Sequence, residues 1–156
     1  MNIQIEIGSM EYLKDCEEAL NNSELGKRYF EREGSAVNAV LEGINSGNLY
    51  VALENDQCIG FMYYLPKGAF HSFPALHLIA VKQEHRRKGV GKIMIEFLEE
   101  MLFKTKDKIF LVVADFNPSG KFFYEKLGYK QVGTIPSLYR EGINEYLMMK
   151  VCTRKA

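Results

Sequence analysis

Read for the spacing of its apolar positions, the chain separates into short alternating runs and longer helical stripes. IQIEI (3–7) alternates with period two, as a half-buried strand does. SMEYLKDCEEAL (9–20) repeats its apolar residues at helical spacing behind Ser9, a capping residue type. After a polar stretch, SAVNAVLEGINSG (35–47) predicts a second helix, capped by Ser35 and stopped by Gly47. NLYVALE (48–54) and QCIGFMYYLP (57–66) are strand-like and joined by Asn55-Asp56, a hairpin connection. ALHLIAV (75–81) follows as another strand. Val90, Ile93, Met94, Phe97, Leu98, Met101 and Leu102 then form one stripe of a helix over 88–104. IFLVVA (109–114) is apolar throughout, as buried strands are. Asn117-Pro118 reads as a helix start and Gly128 as its stop. YKQVGTI (129–135) and EYLMMKV (145–151) close the chain as strands. The order β α α β β β α β α β β predicts a mixed α/β domain with a largely antiparallel start.

Length and composition narrow the class. At 156 residues with no repeat or linker, one domain over 1–156 is expected. A chain of this size buries roughly 70% of its unfolded surface. No apolar run approaches the roughly 18 residues that cross a bilayer, so no membrane partner is expected. The N-terminus reads as no signal peptide. Cys16, Cys58 and Cys152 are odd in number and far apart, which suits neither a disulfide framework nor a zinc site and points to a reducing, cytoplasmic setting. The net charge of zero hides an asymmetry: residues 1–54 hold 10 acidic and 4 basic side chains, and the excess reverses in the rest. A nucleic-acid surface is not expected from such a balance.

The candidate chemistry lies at HRRKGVGK (85–92). A strand ending at Val81, then a basic loop, then two glycines at a helix start is a place to hold phosphate. The first amides of a helix lack internal partners and sit at its positive dipole end. Glycine lets an oxygen approach the backbone, and Arg86, Arg87, Lys88 and Lys92 add charge. A Walker loop does not fit, since Arg86 stands where its first glycine belongs and Ile93 where its Ser or Thr belongs. The dinucleotide fingerprint fails at Met94, where its third glycine would be.

Arg86-x-x-Gly89-x-Gly91 does match the (Gln/Arg)-x-x-Gly-x-(Gly/Ala) loop, and so resembles the acetyl-coenzyme A site of GNAT-type N-acetyltransferases. Ile79-Ala80-Val81 resembles the triplet that ends the strand before that loop. Asn117, Gly120, Tyr124, Lys126, Gly128 and Tyr129 match the family's downstream pattern. The resemblance covers 75–135 best and 48–66 less well. It implies an α/β fold of α+β type: a single mixed, mostly antiparallel sheet of seven strands, helices on both faces, and splayed fourth and fifth strands.

By that resemblance, Ile79 and Val81 offer open backbone groups to the pantetheine arm, with Ala80 between them. Arg87, Lys88, Gly89, Val90 and Gly91, with Lys92 beyond, would seat the pyrophosphate, and Asn117 and Gly120 would flank the coenzyme. The Val81 amide is the candidate oxyanion donor and Tyr124 the general acid for the departing thiolate. Gly120, four residues ahead of Tyr124, is expected to leave a gap beside the phenol. The family's strand glutamate is replaced by Ala75. His77 therefore stands as candidate base or as a packed strand residue, with His71 or water as alternatives and His85 assigned to phosphate or solvent. No metal is expected.

The resemblance implies an amine acceptor beside acetyl-CoA and is compatible with a homodimer. Glu17, Glu18, Glu24, Glu31, Glu33 and Glu42 would attract a cation, or form an ordinary solvated face. The loop PSLYREGINEY (136–146) reads as an acceptor lid or a polar turn, with Arg140 a candidate for a carboxylate. Small amines and peptide or protein amino groups both remain open as acceptors. The rival class is a non-catalytic acyl-CoA-binding sensor.

Overall fold

Strands whose apolar residues alternate must be covered on one face and paired along their edges, and both needs are met here. The computed structural model describes residues 2–153. Its elements run β1 (Ile3–Ile7), α1 (Leu13–Asn21), α2 (Glu24–Tyr29), α3 (Ser35–Ser46), β2 (Leu49–Glu54), β3 (Gln57–Ala69), β4 (Phe73–Val81), α4 (Val90–Leu102), β5 (Lys108–Ala114), α5 (Pro118–Lys126), β6 (Lys130–Ile135) and β7 (Glu145–Val151). The strands form one seven-stranded sheet in the order β1-β2-β3-β4-β5-β7-β6. β1–β2, β2–β3, β5–β7 and β6–β7 are antiparallel, whereas β4 and β5 are parallel with Ala75 opposite Phe110. This is the mixed α/β class that the order of elements predicts.

The described chain divides into two compact units. One takes in the chain up to Leu65 together with His77–Leu98; the other takes in Pro66–Leu76 and the chain from Glu99 onward. In the first unit, Cys16 and Leu20 of α1, Val40 of α3, Val51 of β2, and Phe61 and Tyr63 of β3 share one buried cluster. Asn55 and Asp56 both take left-handed backbone, with φ of 50° and 65°, as a two-residue hairpin requires. In the second unit, Tyr129 is buried and donates to Glu99 at 2.9 Å, and Lys150 reaches the other oxygen of that carboxylate at 2.8 Å.

Several expected boundaries move. Ser9 opens a 3-10 turn over Met10–Tyr12 and makes no side-chain cap, so α1 starts at Leu13. Gly34, at φ 82°, stands at the cap of α3, and Ser35 is already inside the helix. The polar stretch before it holds α2, capped by Ser23, whose hydroxyl accepts from the Gly26 amide at 2.9 Å. Gly26 is needed there, because a Cβ would fall 1.7 Å from the Leu20 carbonyl oxygen. Asn117, Pro118 and Gly128 bound α5 in the roles expected of them.

Candidate functional site

In the first unit, β4 ends at Val81 and the chain turns through a 3-10 segment, Gln83–His85, before α4. Arg86 itself is extended, at φ −72° and ψ 159°, but Arg87 and Gly89 have φ of 62° and 84°. The first helical bond runs from the Ile93 amide to the Gly89 carbonyl, at 3.1 Å. Ahead of it, the amides from Arg87 to Lys92 meet no acceptor among the described residues. Consecutive amides without partners, in turned backbone at a helix start, make a concave donor surface for an anion. The side chains of Arg87, Lys88 and Lys92 are exposed around it and add positive charge. These are the features a pyrophosphate would need.

Arg86 differs from the rest of the loop. Its Nε donates to the Val81 carbonyl at 2.9 Å and its Nη2 to the Asn22 carbonyl at 2.8 Å. The guanidinium expected to grip phosphate is thus spent on backbone, where it clamps the end of β4 to the end of α1. Lys82 adds a second tie to α1 through Asp15 at 2.6 Å and Glu18 at 3.5 Å. Partial burial works against the charge of Lys82, but the two carboxylates outweigh it and its pKa ends above the ordinary value. The Lys82 amide donates to Ile59 at 2.8 Å. β3 comes this close because Gly60 has no side chain: a Cβ there would lie 2.9 Å from the Ala80 carbonyl oxygen. Ala80 is buried, while Ile79 and Val81 are partly exposed.

His77 is also in this unit, exposed on β4, with its ring meeting Tyr63 edge-on at 5.4 Å and 89°. Protein around the ring displaces enough water to lower its pKa, against the opposing pull of Glu42. Tyr63 donates its hydroxyl to Glu42 Oε2 at 2.9 Å. Burial, and then this carboxylate, push the Tyr63 phenol up to about 12. His85 faces Glu54, Nδ1 to Oε1 3.6 Å.

The second unit holds Asn117, Gly120 and Tyr124. Asn117 caps α5 by accepting from the Gly120 amide at 3.1 Å. The space at Gly120, expected to serve a coenzyme, is taken by this cap, since a Cβ would come 2.4 Å from Asn117 Nδ2. Tyr124 is buried, with Phe123 and Tyr129 rings at 5.2 and 5.9 Å. Its hydroxyl has no protein partner among the described residues. Burial of the ring raises its pKa well above the ordinary phenol value and keeps it protonated.

Other expected residues are placed as follows. His71 lies exposed in the β3–β4 turn at φ 57°, beside Phe70 at φ 56°. The β6–β7 loop is braced from within by Gly142, which donates to Ser137 Oγ at 2.9 Å, and from outside by Asp115, after β5, which accepts from the Asn144 amide at 3.1 Å. Among the described residues no helix is long and apolar enough to cross a membrane.

Residues 11–129 match the model of a family described as acetyltransferase (GNAT) family. An N-alpha-acetyltransferase of Saccharolobus solfataricus is 27% identical over 112 residues, 65% of this chain and 67% of that protein. Ard1 from Thermoplasma volcanium has a crystal structure that matches at a TM-score of 0.81 and 18% identity, covering 99% of this chain and all of that one. An aminoglycoside 6'-N-acetyltransferase crystallised with coenzyme A matches at 0.79 and 20% identity, over 98% of this chain and 99% of that one. At these identities the two structures speak for the fold.

Proposed function

The chain belongs to the GNAT family of N-acetyltransferases, and from that premise we propose that it moves an acetyl group from acetyl-CoA directly to a primary amine. The observation that carries this reading is the run of unpartnered amides from Arg87 to Lys92 under basic side chains. Among the described residues these amides meet no acceptor, which is what a pyrophosphate site requires.

Bound there, acetyl-CoA supplies an activated thioester; the rest of the chemistry falls to the protein. The amides of Arg87, Lys88, Gly89, Val90 and Gly91 hold the phosphates, and Ile79 and Val81 offer strand edges to the pantetheine amides. Ala80 stays buried between them, while Lys92 contributes charge. Val81 N–H donates to the thioester oxygen as negative charge develops on it. Asn117 and Gly120 shape the start of α5, which presents Tyr124. That phenol gives its proton to the departing sulfur. The ammonium proton of the acceptor passes to His77, directly or through water, or to water alone. The acceptor is a small amine or a peptide or protein amino group.

The test is release of coenzyme A thiol with a panel of amines, corrected for hydrolysis without amine. Amine-dependent release with stoichiometric acetyl product is expected. Saturable acetyl-CoA binding with no release for any amine would favour the sensor reading.

A further inference from the structure

The acidic side chains around the first helices are not equivalent. Asp15 and Glu18 are neutralised by Lys82, and Glu54 faces His85. Glu42 of α3 pairs with no basic side chain among the described residues; one of its oxygens accepts from the neutral Tyr63 hydroxyl at 2.9 Å. This placement is built in. Tyr63 is 2% exposed, and its ring packs where a Cβ on Gly43 would come within 3.0 Å, so the helix backbone sits close over the strand. The same tyrosine ring meets His77 edge-on at 5.4 Å. Water loss around His77 favours its neutral form, so it does not cancel the carboxylate. A full negative charge, fixed by a neutral donor beside two aromatic rings, is a setting for an organic ammonium.

We propose that Glu42, Tyr63 and His77 form a subsite for a second positive charge on the acceptor, making the preferred substrate a linear diamine or polyamine acetylated at one end and held at the other. The inference rests on the acetyl-transfer reading above in its form with water taking the acceptor's proton, since a His77 that lines this subsite stands at the far end of the acceptor from the reacting amine. Val81, the oxyanion donor in that reading, lies four residues along β4 from His77, about 13 Å between Cα atoms at strand rise. The ammonium at Glu42 is therefore the far end of the molecule, and a chain of several methylenes spans the interval.

The test compares octamethylenediamine with the aminoalcohol of equal length, read by thiol release, on the native protein, Glu42→Gln and the exposed-site control Glu96→Gln. Glutamine keeps an acceptor for Tyr63 while removing the charge. The native protein should favour the diamine by about 10- to 100-fold in kcat/KM, as expected for one charged contact. Glu42→Gln should abolish that preference through KM, and Glu96→Gln should retain it. Titration of the diamine into CoA-saturated protein should show the same loss of affinity in Glu42→Gln. Equal rates for both amines in the native protein, or a preference that survives Glu42→Gln, would overturn the subsite while transfer itself stood. No release with any amine, despite a thermal shift by acetyl-CoA, would overturn the transfer reading and the subsite together.

Discussion

Arg86 holds the carbonyl of Val81 at 2.9 Å, with the same guanidinium bonded to Asn22 at 2.8 Å. The residue that opens the glycine-rich pattern thus ties the end of β4 to the end of α1. Arg86→Ala should weaken acetyl-CoA binding about tenfold or more and lower stability by about 1–3 kcal/mol, the range for a lost charged hydrogen bond. Calorimetric titration and urea unfolding measure the two effects. Arg86→Lys cannot make both bonds in the same geometry and should rescue only in part. Full affinity in Arg86→Ala would mean that the clamp does not shape the cradle.

Two glycines near the proposed coenzyme residues should fail for different reasons. Gly89 has φ 84° and open space where a Cβ would go. Gly89→Ala should therefore cost about 1–2 kcal/mol of backbone strain, together with acetyl-CoA affinity as the amides turn away. Gly120→Ala would push on Asn117 Nδ2 at 2.4 Å and loosen the α5 cap, at about 1 kcal/mol. Combining Gly120→Ala with Asn117→Ala should then cost less than the two changes summed, which a double-mutant cycle reads directly.

Tyr124→Phe keeps the ring packing against Phe123 and Tyr129 but removes the free hydroxyl. Turnover should fall about 100-fold or more while acetyl-CoA affinity holds. Steady-state kinetics beside direct titration separate the two. Undiminished turnover would remove the proton-donor assignment.

His77 makes a pH prediction with a definite sign. Its pKa is lowered by loss of water, so with His77 as base kcat should rise with pH through a midpoint below about 6.5. His77→Ala should flatten that limb. Glu42→Gln should move the midpoint lower still, because the carboxylate is what favours the protonated ring. Folding responds in the same direction: the unfolded chain binds this proton more readily. The contribution of neutral His77 to stability is complete above the ordinary imidazole value and shrinks as pH falls toward the folded-state midpoint. A midpoint unmoved in both variants would assign deprotonation to water.

Much of this was legible along the chain because it rests on local spacing. Val90, Met94 and Leu98 mark one face of α4. Asn55-Asp56 marks a hairpin by backbone preference, and Arg86-x-x-Gly89-x-Gly91 marks turned backbone ahead of a helix. The features that escaped depend on partners remote in sequence. Arg86 meets Asn22 from 64 residues away, and Tyr63 meets Glu42 from 21. Neither pairing has a local signature. The helix at 24–29 was hidden by its length and by Gly26, a poor helix former that is present because α1 comes so close. Gly120 misled for a related reason: its place on the Tyr124 face was visible, but the side chain of Asn117 that fills the space was not.

In the proposed reaction the amides from Arg87 to Lys92 seat acetyl-CoA. Thermal unfolding with and without acetyl-CoA tests it most directly, with free coenzyme A as a second ligand to separate the phosphate-bearing part from the acetyl group. At 100 times its dissociation constant the ligand should add about 2.7 kcal/mol, which for a domain of this size raises the midpoint by about 5–10 °C. Free coenzyme A should give most of that shift, and Gly89→Ala should reduce it for both ligands. An unchanged midpoint at millimolar acetyl-CoA would contradict the account.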